Sequence, residues 1–148
     1  MATGDQCSQS VRHTRVCVSE KGKSATILNE DKEKFIKTQI DGCLVQNETS
    51  ADWMVSKNGV GRLIIELKGV DISHAAEQVM ETIDFLRRSG FGGQKTAGLI
   101  VGRRYPKFDT KVQKIKRDFS KKTGGPMHVV CRNREYVFEE LFEFRDLT

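Results

Sequence analysis

The fold of this chain is most constrained by residues 62–68, which read RLIIELK. Side chains alternate between the two faces of a β-strand, so Glu66 and Lys68 share one face with Ile64, and the other face is apolar. A run with apolar residues on both faces is typical of a central strand covered on both sides. An acid and an amine that face the same way at the end of such a strand are costly unless they are paired or bound to a ligand. The run therefore predicts a buried sheet with a polar site at the end of a central strand.

The composition is that of one globular domain. The chain has 148 residues, of which 37% are hydrophobic and 30% charged. We expect a single domain over residues 1–148, with its core at about residues 35–131 and a disordered start over residues 1–10. No stretch has the length of a membrane span, and the start lacks the apolar core of a signal peptide. We therefore expect a cytoplasmic protein without a membrane partner.

The four cysteines are far apart in the sequence and include no C-x-x-C pair. This spacing argues against a zinc knuckle and against a disulfide framework. Cys43 and Cys131 lie in apolar, strand-like segments, and we predict that they are small core residues.

Hydrophobic periodicity and turn signals predict an alternation of strands and helices. A short helix through residues 31–35 is an alternative to the start of the strand predicted at residues 35–45. The predicted elements are a hairpin over residues 11–18 and 24–28, strands at 35–45, 51–56, 62–68, 96–101 and 127–131, helices at 71–88 and 109–122, and a closing helix at 135–144. This order favours an α/β sandwich with a mixed sheet.

A tight turn is predicted between the strands at residues 51–56 and 62–68. Asn58-Gly59 is the strongest short-range hairpin signal, because both residues tolerate positive φ. A hairpin that turns there brings Asp52 opposite the neighbourhood of Glu66. The two acids therefore form a candidate site.

The chemistry of this candidate site suits a divalent cation held against a phosphodiester. Mg²⁺ prefers oxygen ligands and keeps several waters, so Asp52 and Glu66 could hold it, with the backbone carbonyl of Leu67 as a possible third ligand. Lys68 could orient the attacking water or stabilise developing negative charge. The alternative is a structural ion pair between Lys68 and one of the two acids.

These residues resemble the PD-(D/E)xK phosphodiesterase superfamily, which includes restriction endonucleases and Holliday junction resolvases. The resemblance covers about residues 35–131, with Ala51 in place of the proline of the motif. It implies a restriction-endonuclease-like three-layer sandwich, in which helices flank a mixed central β-sheet. It also implies that Asp52 and Glu66 bind Mg²⁺ or Mn²⁺, that Lys68 is catalytic, and that Gln78 lies beside the site.

The same resemblance leaves open which further acid belongs to the site. Members of the superfamily often carry an extra acid on an N-terminal helix, and Glu30 and Glu33 are the candidates here. Asp41 could replace or assist Asp52, but no turn fixes its distance from Glu66.

The basic residues of this chain are concentrated in residues 103–122, which contain nine Lys/Arg and two acids. Such a block suggests a polyanionic partner, although a solvated helix face is the alternative. The predicted nucleic-acid-binding residues are Arg103, Arg104, Lys107, Lys111, Lys114 and Lys121.

The sequence thus leads to the hypothesis of a metal-dependent DNA endonuclease. A small catalytic core has little room for base readout, so specificity would come from a homodimer or a larger partner subunit. One alternative is a nucleic-acid-binding or assembly module without catalysis. A third hypothesis is a scaffold in which the charged residues only form ion pairs.

Overall fold

The computed structural model describes residues 4–20, 22–46, 48–67, 71–90, 94–103, 110–131, 134–145 and 147. The strands in these ranges are β1 (Ser8–Val11), β2 (Arg15–Glu20), β3 (Lys23–Leu28), β4 (Phe35–Gln39), β5 (Trp53–Lys57), β6 (Gly61–Leu67), β7 (Thr96–Val101), β8 (Met127–Val130) and β9 (Glu135–Val137). The helices are α1 (Gly4–Cys7), α2 (Ile72–Arg88), α3 (Thr110–Thr123) and a 3₁₀ helix (Phe138–Phe142).

The central sheet has six strands in the order β1-β4-β5-β6-β7-β8. Strands β4, β5 and β6 are antiparallel, whereas β6, β7 and β8 run parallel because α2 and α3 provide the crossovers. Every residue of β6 and of β7 is buried, as expected for strands covered on both faces. The prediction of an α/β protein with a mixed sheet is confirmed.

Helices α2 and α3 cover one face of this sheet. The side-chain carboxylate of Asp71 accepts the backbone N–H of His74 at 2.9 Å, which fixes the start of α2 at the predicted cap. The helix then buries a stripe at helical spacing: Ile72, Ala75, Ala76, Val79, Thr82, Ile83 and Leu86. In α3, Val112 and Phe119 pack into the same core cluster.

The other face is covered by a second sheet, in the order β2-β3-β9, and by the 3₁₀ helix. The helices α2 and α3 thus lie on one side only. The predicted closing helix at residues 135–144 is wrong. Tyr136 and Phe138 are buried at a spacing of two, which suits a strand, and Phe138 stacks edge-on against Phe35 at 5.1 Å.

Residues 4–10 are more ordered than the sequence predicts. Strand β1 pairs with β4, and the hydroxyl oxygens of Ser8 and Thr38 are 2.7 Å apart. This pairing brings Cys7 to Cys43, and the two form a disulfide with Cα atoms 5.8 Å apart. The prediction against disulfides is therefore wrong for this pair, because their separation of 36 residues in sequence hides their proximity.

The segment around β4 is shorter than predicted. Strand β4 ends at Gln39, and residues 41–45 form a turn closed by a bridge between Asp41 and Val45. Residues 31–34 form no helix, so the alternative there is not realised. Cys131 is partly buried and has a free thiol.

Candidate active site

The β5–β6 hairpin places Asp52 beside Glu66, as the turn signal predicted. Trp53 pairs with Ile65, and the backbone N–H of Asp52 donates to the carbonyl oxygen of Ile65 at 3.2 Å. The Asp52 carboxylate accepts the backbone N–H of Leu67 at 2.9 Å. Both carboxyl groups are buried, with Asp52 9% exposed and Glu66 1% exposed. The two acids therefore meet at the end of the central strand, largely shielded from water.

The protonation of this pair is set by burial. Burial raises the pKa of the Asp52 carboxyl above its ordinary value of 3.8, although hydrogen bonds from Leu67 and with Glu66 act in the opposite direction. The negative charges of Glu20 and Asp41 raise it further. Two carboxyl groups can form a hydrogen bond only when one of them is protonated. Burial and the neighbouring acids therefore favour the protonated form of Asp52, and a bound cation would favour the ionised form instead.

Helix α2 holds the chain that leads to Asp52. The side-chain amide of Gln78 donates to the carbonyl oxygen of Ser50 at 3.1 Å. One turn further on, the Thr82 hydroxyl accepts the backbone N–H of Ala51 at 2.7 Å and donates to the carbonyl oxygen of Gln78 at 2.8 Å. Gln78 thus lies next to the site, and the contact it makes is with the backbone that positions Asp52.

Of the further acids that the sequence offered, Glu30 and Glu33 lie away from the pair, whereas Asp41 lies near it. The Glu33 carboxylate lies 3.2 Å from Nζ of Lys57, at the far end of β5 from Asp52. Glu30 follows β3, at the end of the small sheet opposite to Glu20, because Glu20 pairs with Lys23 at the start of β3. Neither predicted residue reaches the site.

Glu20 was missed by the sequence analysis. It ends β2, next to Ser19, whose carbonyl oxygen accepts the indole N–H of Trp53 at 3.3 Å. This contact joins the small sheet to the strand that follows Asp52. Asp41 also lies near, because the backbone N–H of the preceding Ile40 donates to the carbonyl oxygen of Asp52 at 3.0 Å.

The residues present fit a divalent cation with two protein carboxylates. In the described part of the chain, no group of three or more His, Cys, Asp or Glu side chains is arranged to hold a metal. One or two carboxylates suffice for Mg²⁺ when waters and a substrate phosphate complete its shell. Ser50 Oγ and Gln78 Oε1 are buried without a hydrogen-bond partner among the described residues, and metal-bound waters would satisfy such atoms. Lys68 lies outside the described residues.

The predicted nucleic-acid-binding residues fall into four groups. Arg103 follows β7, whose end lies beside the end of β6, and it is therefore near the edge that carries Glu66. Lys111 is bound by Glu77 of α2 at 2.9 Å. Lys114 and Lys121 are exposed on α3, whereas Arg104 and Lys107 lie outside the described residues.

Replacing Asp52 by asparagine is expected to raise the melting temperature in EDTA at about pH 7 by a few degrees, and to have little effect at about pH 4. The folded-state pKa of Asp52 is raised, so the native protein loses stability as the pH rises from the unfolded value through the folded one. Asparagine removes that loss and can still accept the Leu67 N–H. Thermal unfolding over a pH series measures the difference. A variant that is less stable than the native protein at neutral pH would contradict the inference that the charge of Asp52 destabilises the folded protein.

In the described part of the chain, α2, α3 and the shorter helices all lack the length and apolarity needed to cross a membrane.

Comparison with known proteins leaves the site to be judged on its own geometry. No protein-family model, no curated protein and no solved structure matches this chain.

Proposed function

We propose that this protein is a metal-dependent DNA endonuclease with a restriction-endonuclease-like fold of the PD-(D/E)xK type. The observation that carries the proposal is the buried pair of carboxyl groups, Asp52 and Glu66, at the end of the central strand. Burial of two acids in hydrogen-bond reach is unfavourable for a structural role, and a divalent cation would offset it. The antiparallel hairpin, the following helix α2 and the parallel strand β7 agree with the arrangement that the superfamily uses.

In this proposal Asp52 and Glu66 hold Mg²⁺ or Mn²⁺, and the carbonyl oxygen of Leu67 can add a ligand. A bound metal supplies charge stabilisation at the scissile phosphate and lowers the pKa of a bound water. Lys68 would orient that water or take up negative charge on the phosphate. Gln78 and Thr82 act as positioning residues, because they fix the backbone of residues 50–51 through α2.

The described surface of α3 supports a polyanionic substrate. Lys114, Arg117 and Lys121 are exposed at helical spacing, on the side of α3 opposite to its buried residues. We call these three residues the α3 stripe. Among the described residues, none of the three forms a salt bridge. Their charges are therefore available to backbone phosphates, as proposed for DNA.

The other lysines of α3 are engaged within the protein. Lys111 pairs with Glu77, and Lys122 pairs with Asp84, so one side of α3 is neutralised by acids of α2. This division separates a structural set of cations from the α3 stripe, and Arg117 joins the residues that were predicted to bind nucleic acid.

Neutralising one residue of the α3 stripe, for example Arg117→Gln, is expected to weaken DNA binding. We expect the slope of log K against log salt to become shallower by about one unit for each residue, because one phosphate contact is lost. Lys111→Gln is the matched control, and its slope should stay close to that of the native protein. Fluorescence anisotropy in EDTA measures both variants without cleavage. Equal slopes for Arg117→Gln and Lys111→Gln would exclude the α3 stripe as the phosphate-binding surface.

The nuclease proposal is tested with supercoiled plasmid, Mg²⁺ or Mn²⁺, and an EDTA control. Nicking or linearisation that requires metal and is lost in Lys68→Ala is the expected outcome. Absence of cleavage with both metals contradicts the proposal for the chain alone. The assay is then repeated on assembled complexes. A homodimer or a larger partner subunit would supply specificity or the cleavage of the second strand.

A second candidate function is a nucleic-acid-binding or assembly module on the same fold. The α3 stripe favours it, because this surface needs no metal. The module predicts steep salt dependence of DNA binding with no metal-dependent cleavage and no metal-dependent rise in melting temperature.

A further inference from the structure

A cleft of about 400 Å³ lies between α3 and the C-terminal segment, away from the acid pair. Its volume is within the range of small-molecule sites, which is about 300–1,000 Å³. Gln113, Lys116 and Ser120 of α3 line one side, and residues 126–129 lie at its base. Phe144, Arg145 and Leu147 line the opposite side. The cleft therefore combines a polar wall on α3 with a mixed wall in which Phe144 and Leu147 flank Arg145.

Phe144, at the edge of this cleft, is unusually exposed for an aromatic residue. Its residue surface is 68% exposed, compared with 43% for Val137 and 38% for Ile36, the other exposed large apolar residues in the described ranges. An aromatic ring left in water forgoes the favourable burial that most phenylalanines obtain. Exposed aromatic side chains are the platforms on which nucleic-acid bases stack.

The cleft is adjacent to the α3 stripe along its whole length. Gln113, Lys116 and Ser120 each directly precede one residue of the stripe, so the cleft wall is rotated by about 100° around the helix. At the radius of an α-helix with its side chains, this rotation corresponds to roughly 9 Å. A nucleic-acid strand whose phosphates lie on the α3 stripe therefore has its bases within reach of the cleft.

The charged residues that line the cleft are Lys116 and Arg145. Arg145 is bound by Glu140 and Glu143, each at 3.3 Å, so the acids of the C-terminal segment offset its charge. With the charge of Arg145 offset in this way, the three cations of the α3 stripe attract a phosphate more strongly than Arg145 does. A base inside a duplex must first be unpaired and flipped out at a cost in free energy, so an already unpaired base is the favoured occupant.

We propose that the cleft binds an unpaired base of single-stranded DNA, stacked on Phe144, while the adjoining phosphates contact the α3 stripe. The side-chain amide of Gln113 and the hydroxyl of Ser120 are the groups that would hydrogen-bond to the base edge. This inference rests on the proposed nucleic-acid contact of α3 and does not depend on metal binding or catalysis. It gives the protein a preference for DNA with a single-stranded segment.

The test measures binding in EDTA, so that no cleavage can occur. Labelled single-stranded DNA, the same strand with abasic sites, and a duplex of the same sequence are titrated by fluorescence anisotropy. Phe144→Ala should weaken binding of the single strand roughly tenfold and leave the duplex unchanged, because one stacked base is lost. Phe144→Tyr should restore the affinity, since tyrosine keeps the ring. Val137→Ala, an exposed apolar residue on another surface, is the control.

Two results would overturn the inference. One is a Phe144→Ala variant that binds single-stranded DNA as tightly as the native protein. The other is equal affinity for abasic and intact strands. Either result leaves the nuclease proposal standing, since that proposal is tested by metal-dependent cleavage. Conversely, a protein that never cleaves DNA can still show the loss in Phe144→Ala.

Discussion

Replacing Glu66 by glutamine should lower the rate of metal-dependent DNA cleavage by roughly 100-fold or more, with the fold retained. The substitution removes a negative oxygen ligand, and a neutral amide oxygen binds Mg²⁺ poorly. Loss of groups that only orient metal ligands already reduces affinity or activity about 10–100-fold, so loss of a direct ligand should do at least as much. Glu66 is 1% exposed, so bulk water has little access to replace the lost ligand.

The measurement combines cleavage with thermal unfolding. Initial rates with Mg²⁺ and with Mn²⁺ are compared with those of Glu81→Gln, an equal substitution at an exposed position of α2. In EDTA a cooperative thermal transition of Glu66→Gln shows that the variant retains the fold. Added metal should raise the melting temperature of the native protein and not that of the variant. Undiminished cleavage by a folded Glu66→Gln variant would rule out Glu66 as a metal ligand.

The acid pair could be predicted because the information that places it is local. Asn58-Gly59 sets the turn of the β5–β6 hairpin, and the pleat of two short strands then carries Asp52 to Glu66. The start of α2 is local as well, since the Asp71 cap lies three residues from the N–H that it accepts. Elements fixed by contacts of short sequence separation were therefore predicted correctly.

The parts that could not be predicted depend on contacts between distant segments. Strand β1 is polar and short, and only its pairing with β4 makes it a strand. Glu20 approaches the site because the small sheet packs across the central one, and no spacing in the sequence encodes that packing. Residues 135–137 become a strand because β3 offers them a free edge. A pattern in which Tyr136 and Phe138 are flanked by acids at positions 135 and 139 is compatible with more than one structure until that edge exists.

The basic segment at residues 103–122 shows that contacts between distant segments also limit prediction at the protein surface. Its basic residues have equal formal charge in the sequence, so Lys111 and Lys114 cannot be distinguished there. Glu77 and Asp84 of α2 distinguish them, because these acids reach Lys111 and Lys122 and do not pair with the α3 stripe. The position of α2 beside α3 is a property of the tertiary fold, and the split into structural and available cations follows from it.

Replacing Gly125 by alanine is expected to destabilise the protein by about 3 kcal/mol or more. A Cβ atom at this position would lie 2.0 Å from the backbone oxygen of Thr96, at the start of β7. Neither partner can move alone, because the next residue, Pro126, accepts the backbone N–H of Gly98 through its carbonyl oxygen at 2.9 Å. The clash therefore has to separate β8 from β7, and with it the end of α3 from the sheet.

Gly124→Ala is the matched control for this prediction. Gly124 ends α3 at φ +77°, and a Cβ there would have no atom within 4 Å. Alanine in this left-handed conformation costs about 1 kcal/mol and creates no clash. Urea unfolding of both variants, with equal m-values, gives the two free-energy differences. If Gly124→Ala is as destabilising as Gly125→Ala, backbone strain at the end of α3 decides the stability there. A larger loss for Gly125→Ala means that the close approach of β8 to β7 decides it, and that approach is what sets the position of α3 and its stripe on the sheet.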